Sequence, residues 1–290
     1  MAARPPRIAA QALGLLRLVH PFPSILDGVV VTAACLIAGG GGPDAVRLGV
    51  SMFALQAGIG ATNDLRDAPA DNGKPGKPIP AGLVSPRVAL GVAVVAFAAG
   101  VGLAVPSGPA VAALAVVVAG IGLAYDLRLK GTAWSWLPFA VGIPLLPVYG
   151  WLGTGALPPI FLVVVPTAAV AGASLAISNA LVDLERDRAA GLGSVALALG
   201  ARRAWLLHAG LLGLVAGAAV GTAAALGAPP PQIGIVALVG LVPLAGGRLV
   251  RSSDPRRRER GWELEAVGLA LLATAWLAGP ALGAAGLRGP

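Results

Sequence analysis

The chain has 290 residues, of which 57% are hydrophobic and only 12% charged, and its mean hydropathy is +0.83. An ordinary soluble domain carries roughly 25% charged residues, and no single soluble core of this length could hide so much apolar surface; the composition excludes a water-soluble globular fold and points to a bilayer. The formal charge of +8 is high enough to raise the question of a nucleic-acid partner, which the placement of the basic residues answers.

Nine apolar stretches follow one another, at 22–42, 46–63, 86–106, 108–125, 135–152, 159–182, 203–226, 230–250 and 263–285. Each is close to the roughly 20 residues with which a helix crosses the hydrocarbon layer. The 42 glycines and 25 prolines would interrupt soluble helices. In membrane helices neighbours re-satisfy the freed backbone groups, and small residues let helices pack closely. A β-barrel would need short alternating segments, and runs such as Val92–Val95 and Val111–Val118 do not alternate. The expected fold is all-α: an integral membrane bundle of nine transmembrane helices, with residues 1–290 forming one domain.

All but Arg47 and Arg288 of the 21 lysines and arginines fall before the first stretch or after the second, fourth, sixth and eighth. This is the positive-inside pattern, and it predicts an inside N terminus and an outside C terminus. It also accounts for a pI near 11.0 without any nucleic acid. The first stretch holds the single cysteine, Cys35, read as a small buried residue, and Asp27, which has no evident role. The fifth is flanked by Trp134, Trp136, Tyr149 and Trp151, suited to interfacial belts, and Pro138, Pro144 and Pro147 predict a kink there. The arginines at 251 and 256–260 read as a topology anchor or a contact with anionic lipid.

Seven of the 13 acidic residues occupy three short segments: Asp64, Asp67 and Asp71; Asp126; and Asp183, Glu185 and Asp187. Each segment lies at the inner end of an even-numbered stretch. An acid near the membrane interior costs about 2.5 to 3.5 kcal/mol on insertion scales and is a functional candidate by default. On a continuing helix Asn63, Asp64 and Asp67 share a face, while Pro69 would end the helix near Asp71. Asn179, Asp183 and Asp187 recur every four residues and form a second stripe. Two such stripes facing each other would repel unless cations lay between them. Hard oxygen ligands without a His or Cys cluster suit Mg²⁺, which binds through one or two carboxylates plus substrate phosphates. The pattern predicts a diphosphate held by bridging Mg²⁺. The plainer alternative is a set of surface acids paired with Arg66, Arg186 and Arg188. Lys74 and Lys77 in the Gly/Pro-rich segment 72–82, and Lys130 after Tyr125, could grip the phosphates or serve as topology anchors.

These residues resemble the UbiA-type membrane prenyltransferases. Asn63-Asp64-x-x-Asp67-x-x-x-Asp71 is similar to that family's first aspartate motif, and Lys77-Pro78-Ile79 with Gly82 to the basic loop that follows it. Tyr125 and Lys130 resemble its tyrosine-to-lysine loop, and Asp183-x-x-x-Asp187-x-x-x-Gly191 its second aspartate motif. The resemblance covers nearly the whole chain. It departs at Lys77, where arginine is commoner, and at Leu192-Gly193-Ser194-Val195, which lacks the usual Thr-Leu-Pro.

The resemblance implies a central, largely apolar cavity with both aspartate motifs at its cytoplasmic mouth, and Mg²⁺-dependent ionisation of an allylic diphosphate. The metal shell would be Asn63, Asp64, Asp67, Asp183 and Asp187. Lys130, Tyr125 and Asp71 would be the catalytic candidates, and Lys74, Lys77, Lys130, Arg17 and Asn179 would meet the diphosphate. Tyr125 could shield a cation with its ring or hydrogen-bond a phosphate oxygen. Arg17 reads equally as a snorkelling interfacial anchor, His20 as an interfacial histidine or a proton acceptor, and His208 as structural. The implied partners are a polyprenyl diphosphate, a small acceptor (an aromatic ring favoured) and the lipid bilayer, with no protein partner evident; the implied setting is a bacterial plasma membrane. Terpene cyclisation and prenyl-phosphate transfer to a sugar are sister activities of the same scaffold. A cation-coupled transporter fits less well, because transporter ion sites usually lie near the bilayer midplane.

Overall fold

A computed structural model describes the backbone of residues 7–69 and 76–286, with side chains for 9–69 and 76–279. Twelve helices run in chain order: α1 (Arg7–Leu18), α2 (Pro21–Ile37), α3 (Gly42–Asp67), α4 (Pro86–Ala104), α5 (Pro109–Ala124) and α6 (Leu137–Leu152). They continue as α7 (Phe161–Val182), the short α8 (Leu184–Ala189) and α9 (Val195–Leu199), then α10 (Ala201–Ala225), α11 (Pro230–Leu249) and α12 (Pro255–Gly286). No strand occurs among the described residues.

Seven of these helices are long and apolar enough to cross a membrane. An eighth span forms if α1 and α2, bent by 54° at their junction, are taken together, and the sixteen-residue α6 is apolar but shorter. Every one of the nine predicted stretches holds a helix; α3 outreaches its stretch by four residues at each end, and α12 begins eight residues early, at Pro255, so that it takes in Arg256, Arg257, Arg258 and Arg260.

Packing follows from small residues. A Cβ on Gly28 of α2 would lie 2.8 Å from the Gly49 carbonyl oxygen of α3, so the two backbones touch there. Gly246 of α11 and Gly261 of α12 exclude a Cβ in the same way, at 2.7 Å from the Gly261 carbonyl and 2.9 Å from the Gly246 carbonyl. Close backbone approach of this kind replaces the hydrophobic drive that lipid cannot supply.

Polar groups inside the bundle are tied to one another. Ser51 donates to the Gly100 carbonyl at 2.6 Å, which makes the Tyr149 hydroxyl, 2.6 Å away, the donor to Ser51. Tyr149 is fully buried, so it joins α3, α4 and α6 and is no interfacial belt residue, correcting the expectation from its flanking position. His208 is buried between α7, α10 and α12, with Nδ1 2.9 Å from Ser174 Oγ and Nε2 3.5 Å from Glu265. That is a structural position, as expected.

Candidate active site

Residues of α2, α3, α5, α6, α7 and α12 line a pocket of about 430 Å³. Its walls are mainly apolar, and its polar residues concentrate at one end, where α3 and α7 finish and α5 passes into a wider turn.

That turn, Tyr125–Leu129, is a π-type coil closed by a 2.8 Å bond from the Lys130 amide to the Tyr125 carbonyl. Such coils are uncommon and cluster at functional sites. Here it turns Tyr125, Asp126 and Lys130 into the same pocket. Tyr125 meets Phe139 edge-on, with centroids 5.6 Å apart, and the two rings make an aromatic wall. Asp126, Asp183, Asp67 and Asp187 all lie within electrostatic reach of the Tyr125 hydroxyl.

The end of α3 carries Asn63, Asp64 and Asp67. Asn63 Nδ2 donates to Asp126 Oδ1 at 2.8 Å. Asp64 is 2% exposed; Lys77 donates to its Oδ1 at 2.7 Å and His20 Nε2 at 3.2 Å. Lys130 donates to Asp67. His20 sits at the break between α1 and α2 with φ of 46°, the one positive-φ residue other than glycine among those described. Left-handed backbone costs a non-glycine residue of order 1 to 3 kcal/mol and persists only where neighbours over-determine it. Gly60 leaves the room that the His20 ring fills: a Cβ there would lie 3.0 Å from the ring.

The second stripe is bent where regular spacing predicts a straight helix. Asp183 leaves helical geometry at φ −93°, ψ 7°, ending α7 and starting α8. The i→i+4 bonds from the Asp183 amide to Asn179 and from the Asp187 amide to Asp183 survive at 3.3 and 2.8 Å, and all three residues still line the pocket. Asp183 accepts from Arg186. Burial and the neighbouring Asp183 charge push the Asp187 carboxyl up. Glu185 points away: burial would raise its carboxyl, but hydrogen bonding to Arg258 outweighs this and lowers it. Arg258 is 6% exposed and donates through two nitrogens to Glu185 and through one to the Val182 carbonyl at 3.4 Å. It is a buried clamp on α8, which corrects the reading of this arginine as a topology anchor.

Among the candidates named from the sequence, Asn63, Lys77, Tyr125, Lys130, Asn179, Asp183 and Asp187 share the pocket lining. Asp64 and Asp67 lie just behind it, held by His20, Lys77 and Lys130, which do line it. Arg17 is exposed on α1 and does not line the pocket, which favours its interfacial reading. Asp71 and Lys74 lie outside the described residues. The picture of carboxylates facing one another unpaired needs correction, since Asp64, Asp67 and Asp183 each hold a basic partner. A buried carboxylate is costly unless a neighbour neutralises it. The metal shell expected from the sequence did not include Asp126, which is buried, lines the pocket and has no hydrogen-bond partner for Oδ2 among the described residues. Its place between Tyr125 and Lys130 was the available signal.

The chain is thus an all-helical bundle with apolar, span-length helices that gathers acids and lysines at one end of an apolar pocket, and the comparisons say to which class it belongs. The UbiA prenyltransferase family model matches residues 28–274, and the chain belongs to that family. It is a membrane prenyltransferase. It is 31% identical over 261 residues to the digeranylgeranylglyceryl phosphate synthase of Natronomonas pharaonis, covering 83% of this chain and 88% of that one. A solved structure of a digeranylgeranylglyceryl phosphate synthase superimposes with a TM-score of 0.70 at 14% identity, covering 93% of this chain and 98% of the other. A UbiA homologue from Archaeoglobus fulgidus bound to GPP and Mg²⁺ gives 0.67 at 18% identity, covering 89% and 99%. At such identities the structural likeness speaks for the fold.

Proposed function

We propose that this chain transfers a prenyl group from a polyprenyl diphosphate to a small acceptor, in a nine-helix bundle that counts α6 as a short span. Its pocket is the bundle's central cavity, with the mouth on the cytoplasmic side and the N terminus inside. One observation carries this reading: side chains from α3, the segment after it, the π-type turn and α7–α8 bring five carboxylates, two asparagines and two lysines to or just behind one end of an apolar pocket.

The donor set fits Mg²⁺. Buried Oδ2 atoms of Asp64 and Asp126 have no hydrogen-bond partner among the described residues. Mg²⁺ binds through one or two carboxylates and completes its shell with substrate phosphates and water. Asn63, Asp64, Asp67, Asp126, Asp183 and Asp187 would share such ions between them, one or two carboxylates to each, and the ions would neutralise charge gathering on the departing diphosphate. The allylic C–O bond breaks, the electron pair leaves with the diphosphate, and the acceptor supplies the new bond and loses a proton. Lys77 and Lys130 exchange carboxylate for phosphate oxygens as the diphosphate arrives, and Asn179 donates beside them. Tyr125 and Phe139 wall the allylic carbon with rings that tolerate positive charge, and the apolar pocket keeps water from it.

An aromatic ring is the acceptor favoured by the family resemblance. The name of the Natronomonas pharaonis relative favours a second reading, a prenylated glyceryl phosphate. Purified protein in nanodiscs, given radiolabelled prenyl diphosphates of several lengths with an acceptor panel, tests the whole proposal. Mg²⁺-dependent release of diphosphate coupled to a prenylated product is expected. Absence of both with every donor would refute it.

A further inference from the structure

The pocket also holds a hydrogen-bonded polar pair set apart from the carboxylate-lysine mouth. Asp27 of α2 and Gln56 of α3 both line it, and Gln56 Nε2 donates to Asp27 Oδ2 at 2.5 Å. Gln56 precedes Asp64 by eight residues on α3, and Asp27 follows His20 by seven, so both helices put the pair about 10 to 12 Å along the axis from the mouth. Apolar side chains separate the two levels, among them Ile59, Ile121 and Ile143.

A carboxyl group at membrane depth is expensive, and one amide hydrogen bond satisfies only part of it. The Gln56 bond is the only one Asp27 makes among the described residues, and both side chains face the cavity rather than a helix interface. The pair therefore offers an occupant one carboxyl oxygen as acceptor, plus the second amide hydrogen and carbonyl of Gln56. The three basic side chains of the lining, His20, Lys77 and Lys130, are all engaged with carboxylates at the mouth. Nothing cationic meets an anion at the depth of Asp27 among the described residues.

Building on the prenyltransferase reading, we infer that Asp27 and Gln56 form the subsite for the distal polar group of the acceptor, and that they select a neutral, hydrogen-bond-donating hydroxyl over an anionic carboxylate or phosphate. The spacing leaves room for the allylic carbon and a single aromatic ring between mouth and pair. A hydroxyl donates to Asp27 and accepts from Gln56. A carboxylate or phosphate there is buried with no cation to pair with among the described residues, the kind of rejection that desolvated polar sites achieve most strongly.

The test compares acceptors on one preparation of the purified full chain in nanodiscs with Mg²⁺ and geranyl or geranylgeranyl diphosphate. Hydroquinone, 4-hydroxybenzoate and geranylgeranylglyceryl phosphate are the probes. The wild type should favour hydroquinone over both anionic acceptors by about tenfold or more in kcat/KM. Asp27→Asn should reduce that ratio by about tenfold, and Gln56→Leu severalfold. Because each ratio is taken on the same sample, partial misfolding does not mimic the effect, and the wild-type panel stands if Asp27→Asn does not fold. Equal or preferred use of an anionic acceptor by the wild type, or an unchanged ratio in Asp27→Asn, overturns the subsite while leaving the transferase intact. Loss of Mg²⁺-dependent diphosphate release with every acceptor instead removes the transferase reading, and the subsite with it.

Discussion

The two aspartate-bearing segments look alike in sequence and are built differently. At the end of α3 the helix runs unbroken through Asp67, and Asp64 is sealed behind His20 and Lys77 at 2% exposure. At the end of α7 the helix breaks at Asp183, whose side chain is 36% exposed, and the motif continues on the six-residue α8. The first segment is fixed by burial and by its own basic partners. The second is placed from outside, by Arg258 of α12 gripping Glu185 and the end of α7. The same chemical group can thus be rigid through its surroundings or adjustable through a clamp, and substitutions should separate the two cases.

The largest effect is expected at the carboxylates. Asp64→Ala and Asp183→Ala should each lower prenyl transfer by roughly a hundredfold or more, the scale on which removing a charge-stabilising group acts. Stability should part them. Asp64→Ala takes a buried carboxylate away from two part-buried basic groups, His20 and Lys77, and losing such charged hydrogen bonds costs about 1.5 to 3 kcal/mol. Asp183→Ala removes a half-exposed pair with Arg186, where about 1 kcal/mol or less is at stake. A thermal unfolding midpoint lowered in the first variant and nearly unmoved in the second supports the contrast. Equal midpoints would remove it.

Next comes the clamp. Arg258→Met should raise the KM for prenyl diphosphate by about tenfold with a smaller change in kcat, because α8 loses its anchor while Asp187 itself is intact. Arg258→Lys, retaining the charge but not the forked geometry, should recover only part of it. An effect confined to stability, with KM untouched, would reduce Arg258 to a structural strut.

Much of this fold was legible because a bilayer reads hydrophobicity directly. Each of the nine apolar stretches holds a helix, with ends within a few residues apart from the long start of α12. The site was legible where chemistry needs a fixed spacing, as at Asn63, Asp183 and Asp187. Contacts made across the fold were not. Nothing near Arg258 in the sequence distinguishes it from Arg256 or Arg257, since its partner lies 73 residues away. Tyr149 reads as a belt residue until Ser51, 98 residues distant, is seen beneath it. Asp126 was passed over because it stands alone, with no second acid at helical spacing; only the π-type turn brings it against Asn63.

The smallest effect distinguishes a glycine that shapes the site from one that does not. Gly60 supports His20, whose left-handed backbone presents the ring to Asp64; a methyl group there would press on the ring at 3.0 Å. His20 has little freedom to retreat, because its own φ of 46° is already strained. Gly60→Ala should therefore lower kcat severalfold and weaken the rigid segment that Asp64 belongs to. Gly91, on α4, has nothing within 4 Å of where its Cβ would stand, so Gly91→Ala should leave turnover unchanged and, by helix propensity, stabilise by at most about 1 kcal/mol. If Gly60→Ala is as silent as Gly91→Ala in both turnover and unfolding, His20 is not held by packing, and the rigidity attributed to the first segment rests on Lys77 alone.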